Sequence, residues 1–236
     1  MEKLWDRIFP EIFARFPGYA RGVVLAYDVM NGPSSVELTG LLREAERLVR
    51  QRVKLEELAE HNHIKPWREA YRAFGARPSE YRSSIEALCR RALGGKEIPS
   101  INTLVDIGNV ISLRHLVSAG GHALDEVAGD LALRPAAGTE TFIPFGGEQV
   151  EHPEPGEIIF VEGDPILTRR WTWRQAYHTS TQFDTRFIEF NIDGLPPVTE
   201  GEIDSIGREL AEMVGHFCGG RTRLDMLTAT RPAIPL

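Results

Sequence analysis

The sequence predicts a mixed α+β fold, and three observations carry that expectation. Helical spacing of apolar residues dominates 35–113, short extended runs broken by glycine and proline occupy 131–192, and one more helical pattern returns at 200–217. A chain of 236 residues, 42% hydrophobic and 26% charged, has the length and composition to bury a substantial core as one large domain or two small intimate ones.

Arg7–Phe16 is apolar-rich and interrupted by Pro10, whereas Tyr19–Asp28 holds Val23, Val24, Leu25, Ala26 and Tyr27, a buried-strand run closed by Asn31-Gly32-Pro33. From Ser35, Val36, Leu38, Leu41, Leu42, Ala45, Leu48, Val49 and Val53 recur at helical spacing, which predicts one long amphipathic helix. Trp67, Ala70, Tyr71 and Phe74 predict a second, and Ser79 is the expected cap of a third that carries Ile85, Leu88, Cys89, Ala92 and Leu93 up to Gly94-Gly95. Arg68, Arg72, Arg77, Arg82, Arg90 and Arg91 decorate this pair among Glu69, Glu80 and Glu86, as a solvated face or a phosphate-facing patch.

Ser100 is expected to open a helix over 101–113 on which Asn102, Asp106 and Asn109 stack along one narrow arc. Buried without partners, each such group costs about 1–3 kcal/mol, so the stripe caps neighbouring loops or contacts a ligand. Strands are expected at 131–134, 141–144, 158–162, 166–169 and 187–192, then a helix at 200–218 and an extended or loose tail over 221–236. The whole of 1–236 reads as one domain, with the strand and long helix of 1–62 integral to it.

A net charge of −7 and a pI near 5.6 argue against a protein that coats nucleic acid non-specifically, and DNA is not an expected partner. Cys89 and Cys218 are the only cysteines and form no C-x-x-C pair, so neither a zinc ribbon nor a redox motif is available. Acids at Glu2 and Asp6, where an export signal needs a basic flank, and the lack of any 18-residue apolar run suggest a cytoplasmic protein that does not enter membranes. There is no G-x-S-x-G, Walker, H-E-x-x-H or G-x-G-x-x-G motif, and His61 and His63 lack a third ligand, so neither cofactor nor metal is implied.

Two phrases do carry a signal: Asp106-Ile107-Gly108-Asn109 and, further on, Gly120-Gly121-His122-Ala123-Leu124-Asp125. Together they resemble the D-x-x-N helix and P-x-H-A-F-D segment of the B3/B4 domain of the bacterial phenylalanyl-tRNA synthetase beta subunit, with a slightly longer spacing here. Thr139-Glu140-Thr141-Phe142 and Gly156-Glu157-Ile158-Ile159 resemble the family's strand and turn phrases, and the likeness is strongest over 67–193. The resemblance implies a B3/B4-like fold with mixed sheets and packed helices, and a site that hydrolyses tyrosine wrongly esterified to the phenylalanine tRNA.

By that resemblance His122 falls on the editing-site histidine, and Asp106 and Asn109 match the family helix, there to hold helix and loop in register or to contact substrate. The family's Gly-rich stretch is replaced by Arg169-Arg170-Trp171-Thr172-Trp173-Arg174-Gln175. If this is a strand, Arg170, Thr172 and Arg174 share one face and Trp171, Trp173 and Gln175 the other, able to hold a ring and an anion or simply to pack and solvate. The family's glutamate falls near Asn191, with Glu189 two positions away on the same strand face. Thr179 and Thr181 supply hydroxyls to a pocket wall or an exposed turn. The expected partner is an aminoacyl-tRNA or an amino-acid-like small molecule, and the two functional readings are a trans-acting deacylase and a binding module without turnover.

Overall fold

A computed structural model describes residues 4–236 as six α-helices and ten strands in two sheets, one mixed and one antiparallel, an α+β fold. The acid-rich start is described only from Leu4, so Met1, Glu2 and Lys3 lie outside the described residues. No helix among the described residues is long and apolar enough to cross a membrane.

Strand β1 (Trp5–Ile8) leads into α1 (Pro10–Arg15), where Pro10 occupies the first helical turn that its missing N–H suits. Strand β2 (Ala20–Tyr27) is buried along nearly its whole length, as its apolar run requires. Helix α2 (Val36–Arg52) is capped by Ser35, whose hydroxyl accepts from the Leu38 N–H at 3.1 Å. Helix α3 (Lys65–Ala73) precedes α4 (Ser84–Leu93), and the cap of α4 is Ser83 rather than Ser79, because the chain from Phe74 to Arg82 is spent on turns.

Helix α5 (Thr103–His115) likewise starts later than expected: Asn102 is its cap, and its Oδ1 accepts from the Val105 N–H at 3.0 Å. Ser100 instead donates to Asp106, which also accepts from Ser34 Oγ at 2.6 Å and from the Ile101 N–H at 3.1 Å. Asp106, fully buried, therefore ties two incoming loops to α5.

The remaining strands are β3 (Ser118–Ala123), β4 (Leu131–Pro135), β5 (Ile158–Glu162), β6 (Ile166–Arg169), β7 (Arg174–Gln175), β8 (Phe187–Gly194), β9 (Arg221–Leu227) and β10 (Ala233–Pro235); α6 (Glu200–Cys218) separates β8 from β9. One sheet runs β10-β1-β4-β5-β6-β7 and the other β3-β8-β2-β9. The 141–144 segment is no strand: it makes only isolated bridges, Thr141 to Pro165, Phe142 to Glu151 and Pro144 to Ala176. The tail is not loose either, since β9 pairs with β2 and β10 with β1.

The expected alternation through 170–174 fails because Arg170 (φ 46°) and Trp171 (φ 64°) adopt left-handed backbone in a turn between β6 and β7. That turn drives Trp171 into the core, edge-on to Phe16 and Tyr19 (centroids 4.8 Å each) and Trp67 (5.2 Å). Helices α5 and α6 cover one face of the four-stranded sheet. Gly108 of α5 permits this approach, since a Cβ there would stand 3.3 Å from the Ala119 carbonyl oxygen of β3 and 3.6 Å from the Phe190 ring. Because Trp171 joins α1, α3 and the β6–β7 turn, Trp171→Ala is expected to cost about 3–5 kcal/mol by urea denaturation; a loss below 1 kcal/mol contradicts this placement.

Candidate functional site

The other face of the four-stranded sheet carries polar residues where a buried sheet normally carries apolar ones. Residues 187–194 alternate strictly, with Ile188, Phe190 and Ile192 toward the helices and Glu189, Asn191 and Asp193 toward the second sheet. Register extends this row sideways: on β3, His122 opposes Glu189, Gly120 opposes Asn191 and Ser118 opposes Asp193, while on β2 Arg21 opposes Asp193. Phe160 of β5 faces the row, with its ring centroid 5.3 Å from that of His122 and 4.8 Å from the Arg21 guanidinium.

His122 is 6% exposed. Its Nδ1 lies 3.0 Å from Thr179 Oγ1 and its Nε2 3.1 Å from Thr168 Oγ1, hydroxyls able to donate or accept to suit the tautomer. Gln175 Nε2 approaches Nδ1 at 3.3 Å while donating to the carbonyls of Gly121 and Thr179. Burial above all, then Arg21 and His178, pulls the imidazole down to about 3, so it is neutral at physiological pH. Such a ring orients a water or hydroxyl by hydrogen bonding and is a weak proton acceptor.

Three buried acids share this region with one buried cation. Asp193 takes the cation, accepting from Arg21 Nε at 2.9 Å and from the Tyr19 hydroxyl. Burial works against the Arg21 charge, but Asp193, Tyr19 and Asp6 outweigh it and hold the guanidinium above its ordinary value. Asp6 and Glu189 are left with raised proton affinity: burial pushes Asp6 up to about 6, and burial followed by the Asp6 charge pushes Glu189 well above the carboxylate range.

A cavity of about 160 Å³ opens beside His122, walled by Arg21, Ser118, Phe160, Thr168, Asn191 and Asp193. Arg21 Nη1, Ser118 Oγ and Asn191 Oδ1 are buried without a protein partner. Polar groups so placed are ordinarily satisfied by water or ligand. A groove of about 400 Å³ between α4 and α5 and an outer vestibule of about 1010 Å³ both share Trp173 and Gln175 with this cavity.

The residues singled out in the sequence are distributed unevenly over these spaces. His122, Trp171, Trp173, Arg174 and Asn191 line the cavity, Asn109 lines the groove, and Thr181 lines both groove and vestibule. Thr179 stands behind His122 as its hydrogen-bond partner. Glu189 faces His122 across the strands but is fully buried and bonded to Asn191 Nδ2 at 2.9 Å, off the cavity wall. Asp106 serves the α5 loops. Arg170 turns away, lying 3.7 Å over the Tyr81 ring and 3.4 Å from Glu157.

Arg21, Ser118, Phe160, Thr168 and Asp193 escaped the sequence reading. Two of them left a trace: Asp193 in the period-two polar series Glu189, Asn191 and Asp193, and Arg21 as a lone arginine in the apolar run of β2.

Residues 66–207 match the family model of the B3/4 domain. That match spans more than half of the chain, so the protein belongs to the B3/4 domain family. It includes His122, Thr168 and Asp193 but stops short of Asp6 and Arg21, so β2 completes the polar row, and β1 of the second sheet adds Asp6, from outside the matched segment. No curated protein matches the chain. Among solved structures, an N-terminal fragment of the phenylalanyl-tRNA synthetase beta subunit from Pyrococcus horikoshii aligns over 94% of this chain at 10% identity and a TM-score of 0.47. The chain spans about half of that fragment, 51% of its length.

The buried titrations act on stability with opposite signs. Folded Asp6 holds a proton that the unfolded chain, near 3.8, releases, so its contribution is full below 3.8 and lost as pH rises through about 6. Folded His122 refuses a proton that the unfolded imidazole takes near 6.5, so stability falls as pH drops below that value. In urea denaturation between pH 7.5 and 4.5, wild type should gain on Asp6→Asn and lose ground to His122→Gln, each by about 1–3 kcal/mol. Shifts of the same sign would contradict the charge assignment.

Proposed function

We propose that this chain binds the acylated 3′ end of a tRNA, seats the aminoacyl group in the cavity beside His122 and hydrolyses its ester. The single observation that carries the reading is the His122 cavity itself, where a neutral buried imidazole, a permanent cation and unpartnered hydroxyl and amide groups converge on about 160 Å³. An aminoacyl ester is activated, so its hydrolysis needs little beyond a held water and donors for the developing oxyanion. His122 orients the water, and Arg21 Nη1 and Ser118 Oγ supply donors. The water oxygen joins the acyl carbon, the acyl–ribose oxygen bond breaks, one proton goes to the ribose oxygen and another leaves with the new carboxylic acid.

Charge supports a nucleic-acid partner locally. Residues 65–93 carry seven Lys or Arg against three Glu, a net +4 that leaves −11 for the rest of the chain. Buried Glu86 is shared by Arg68 at 2.7 Å and Arg90 at 2.9 Å, and among the described residues Arg72 and Arg91 pair with no acid. Arg91 also lines the groove that leads to the cavity. Phosphates held there make binding salt-sensitive. The paired substitution Arg72→Glu and Arg91→Glu should weaken tRNA binding at least tenfold in filter binding at 50 mM salt and flatten the logarithmic salt slope by one or two; an unchanged slope removes this surface from the interface.

Binding without turnover is the second reading, favoured by the engagement of both His122 nitrogens with threonine hydroxyls. Single-turnover deacylation of a panel of mischarged tRNAs separates the two. The hydrolase reading expects one species to be cleaved, at least a hundredfold slower with His122→Ala, and a rate without an inflection near pH 6.5 because His122 titrates far lower. Tight binding with no cleavage of any species would leave only the binding module.

A further inference from the structure

Four aromatic side chains are strongly exposed among the described residues, and three of them, Phe145 (58%), Tyr177 (60%) and Phe183 (60%), line the outer vestibule together with Ile101 (53%). A cluster of this kind is costly to leave in water and marks a binding surface. The rings stand on ordered backbone: the Phe145 N–H donates to the Gln175 carbonyl at 3.2 Å, the Tyr177 N–H to the Ile143 carbonyl at 3.0 Å, and Asn31 Nδ2 holds the Gln182 carbonyl at 2.7 Å. Phe145 and Tyr177 lie nearly parallel, 25° between planes and 6.4 Å between centroids, and present flat faces.

We infer that the vestibule is a stacking site for a heteroaromatic base, that of the nucleotide whose ester enters the cavity. Three features select a base. Flat aromatic faces stack any base without regard to its sequence identity. Arg174, 42% exposed and only loosely held by Glu151 at 3.9 Å, supplies a cation for the attached phosphate or for stacking. The rim carries Ser180 and Gln182, joined by a 2.9 Å hydrogen bond, as donors and acceptors for a base edge, where a lipid chain would find nothing to suit it. Trp173, Arg174 and Gln175 belong to both spaces, so a base in the vestibule and an acyl group beside His122 fit one molecule. The link to an ester rests on the function proposed above; the stacking does not.

Adenosine 5′-monophosphate against ribose 5-phosphate, titrated by calorimetry into the full chain, tests the stacking directly. Adenosine monophosphate should bind at least tenfold more tightly, Tyr177→Ala and Phe183→Ala should each weaken it about tenfold, and Tyr177→Phe should restore it. These side chains are exposed, so unchanged thermal melts establish that the variants fold. Equal affinity for the two probes, no binding of either, or indifference to the substitutions overturns the inference. So does a change from dimer to monomer in sedimentation of the variants with nucleotide affinity intact, which would assign the patch to a second copy of the chain. Base-dependent binding without cleavage of any aminoacyl-tRNA sustains the vestibule while the hydrolase fails; cleavage with no preference for the base-bearing probe does the reverse.

Discussion

The polar row on the inner face of the four-stranded sheet is the constraint around which the rest is arranged. Burying charge between two sheets is expensive unless each group is paired or neutralised. This protein does both, pairing Arg21 with Asp193 at 2.9 Å and leaving Asp6 and Glu189 at raised proton affinity. A core built for stability alone would place valine or leucine at such positions. Leu25 and Val23 do occupy the same face of β2 beside Arg21, so the polar substitution is confined to the part of the sheet that borders the cavity.

That confinement gives His122 its chemistry. Thr168, Thr179 and Gln175 fix the ring, and Phe160 with the surrounding sheet removes it from water. The resulting fall in basicity is the consequence of burial, and it converts a residue type usually read as a proton acceptor into a hydrogen-bonding one. Arg21, which keeps its charge through Asp193, is then the permanent electrostatic group of the site.

Much of the helical part was legible, because α2 and α6 show clean apolar periodicity and Ser35 and Thr199 are strong caps. β3 was not, since Ser-Ala-Gly-Gly-His-Ala has little strand propensity and is held in place by β8. The tail misled for a similar reason: β9 and β10 are edge strands whose pairing with β2 and β1 is long-range. At the candidate site, motif likeness singled out His122, which lines the cavity. Trp171 and Arg170 defied the alternation rule because non-glycine residues in left-handed backbone leave no local signature. Arg21 and Asp193 are brought together across 172 positions of sequence, a contact that no local pattern records.

On the proposed function, the space beside His122 holds an acyl group attached to a nucleotide. A crystal structure with a 3′-aminoacylamido-adenosine, whose amide resists hydrolysis, tests it most directly. The acyl carbonyl should lie within hydrogen-bond reach of Arg21 Nη1 or Ser118 Oγ, with the adenine against Tyr177 and Phe183. An analogue lodged in the α4–α5 groove with the His122 cavity holding only water would contradict it.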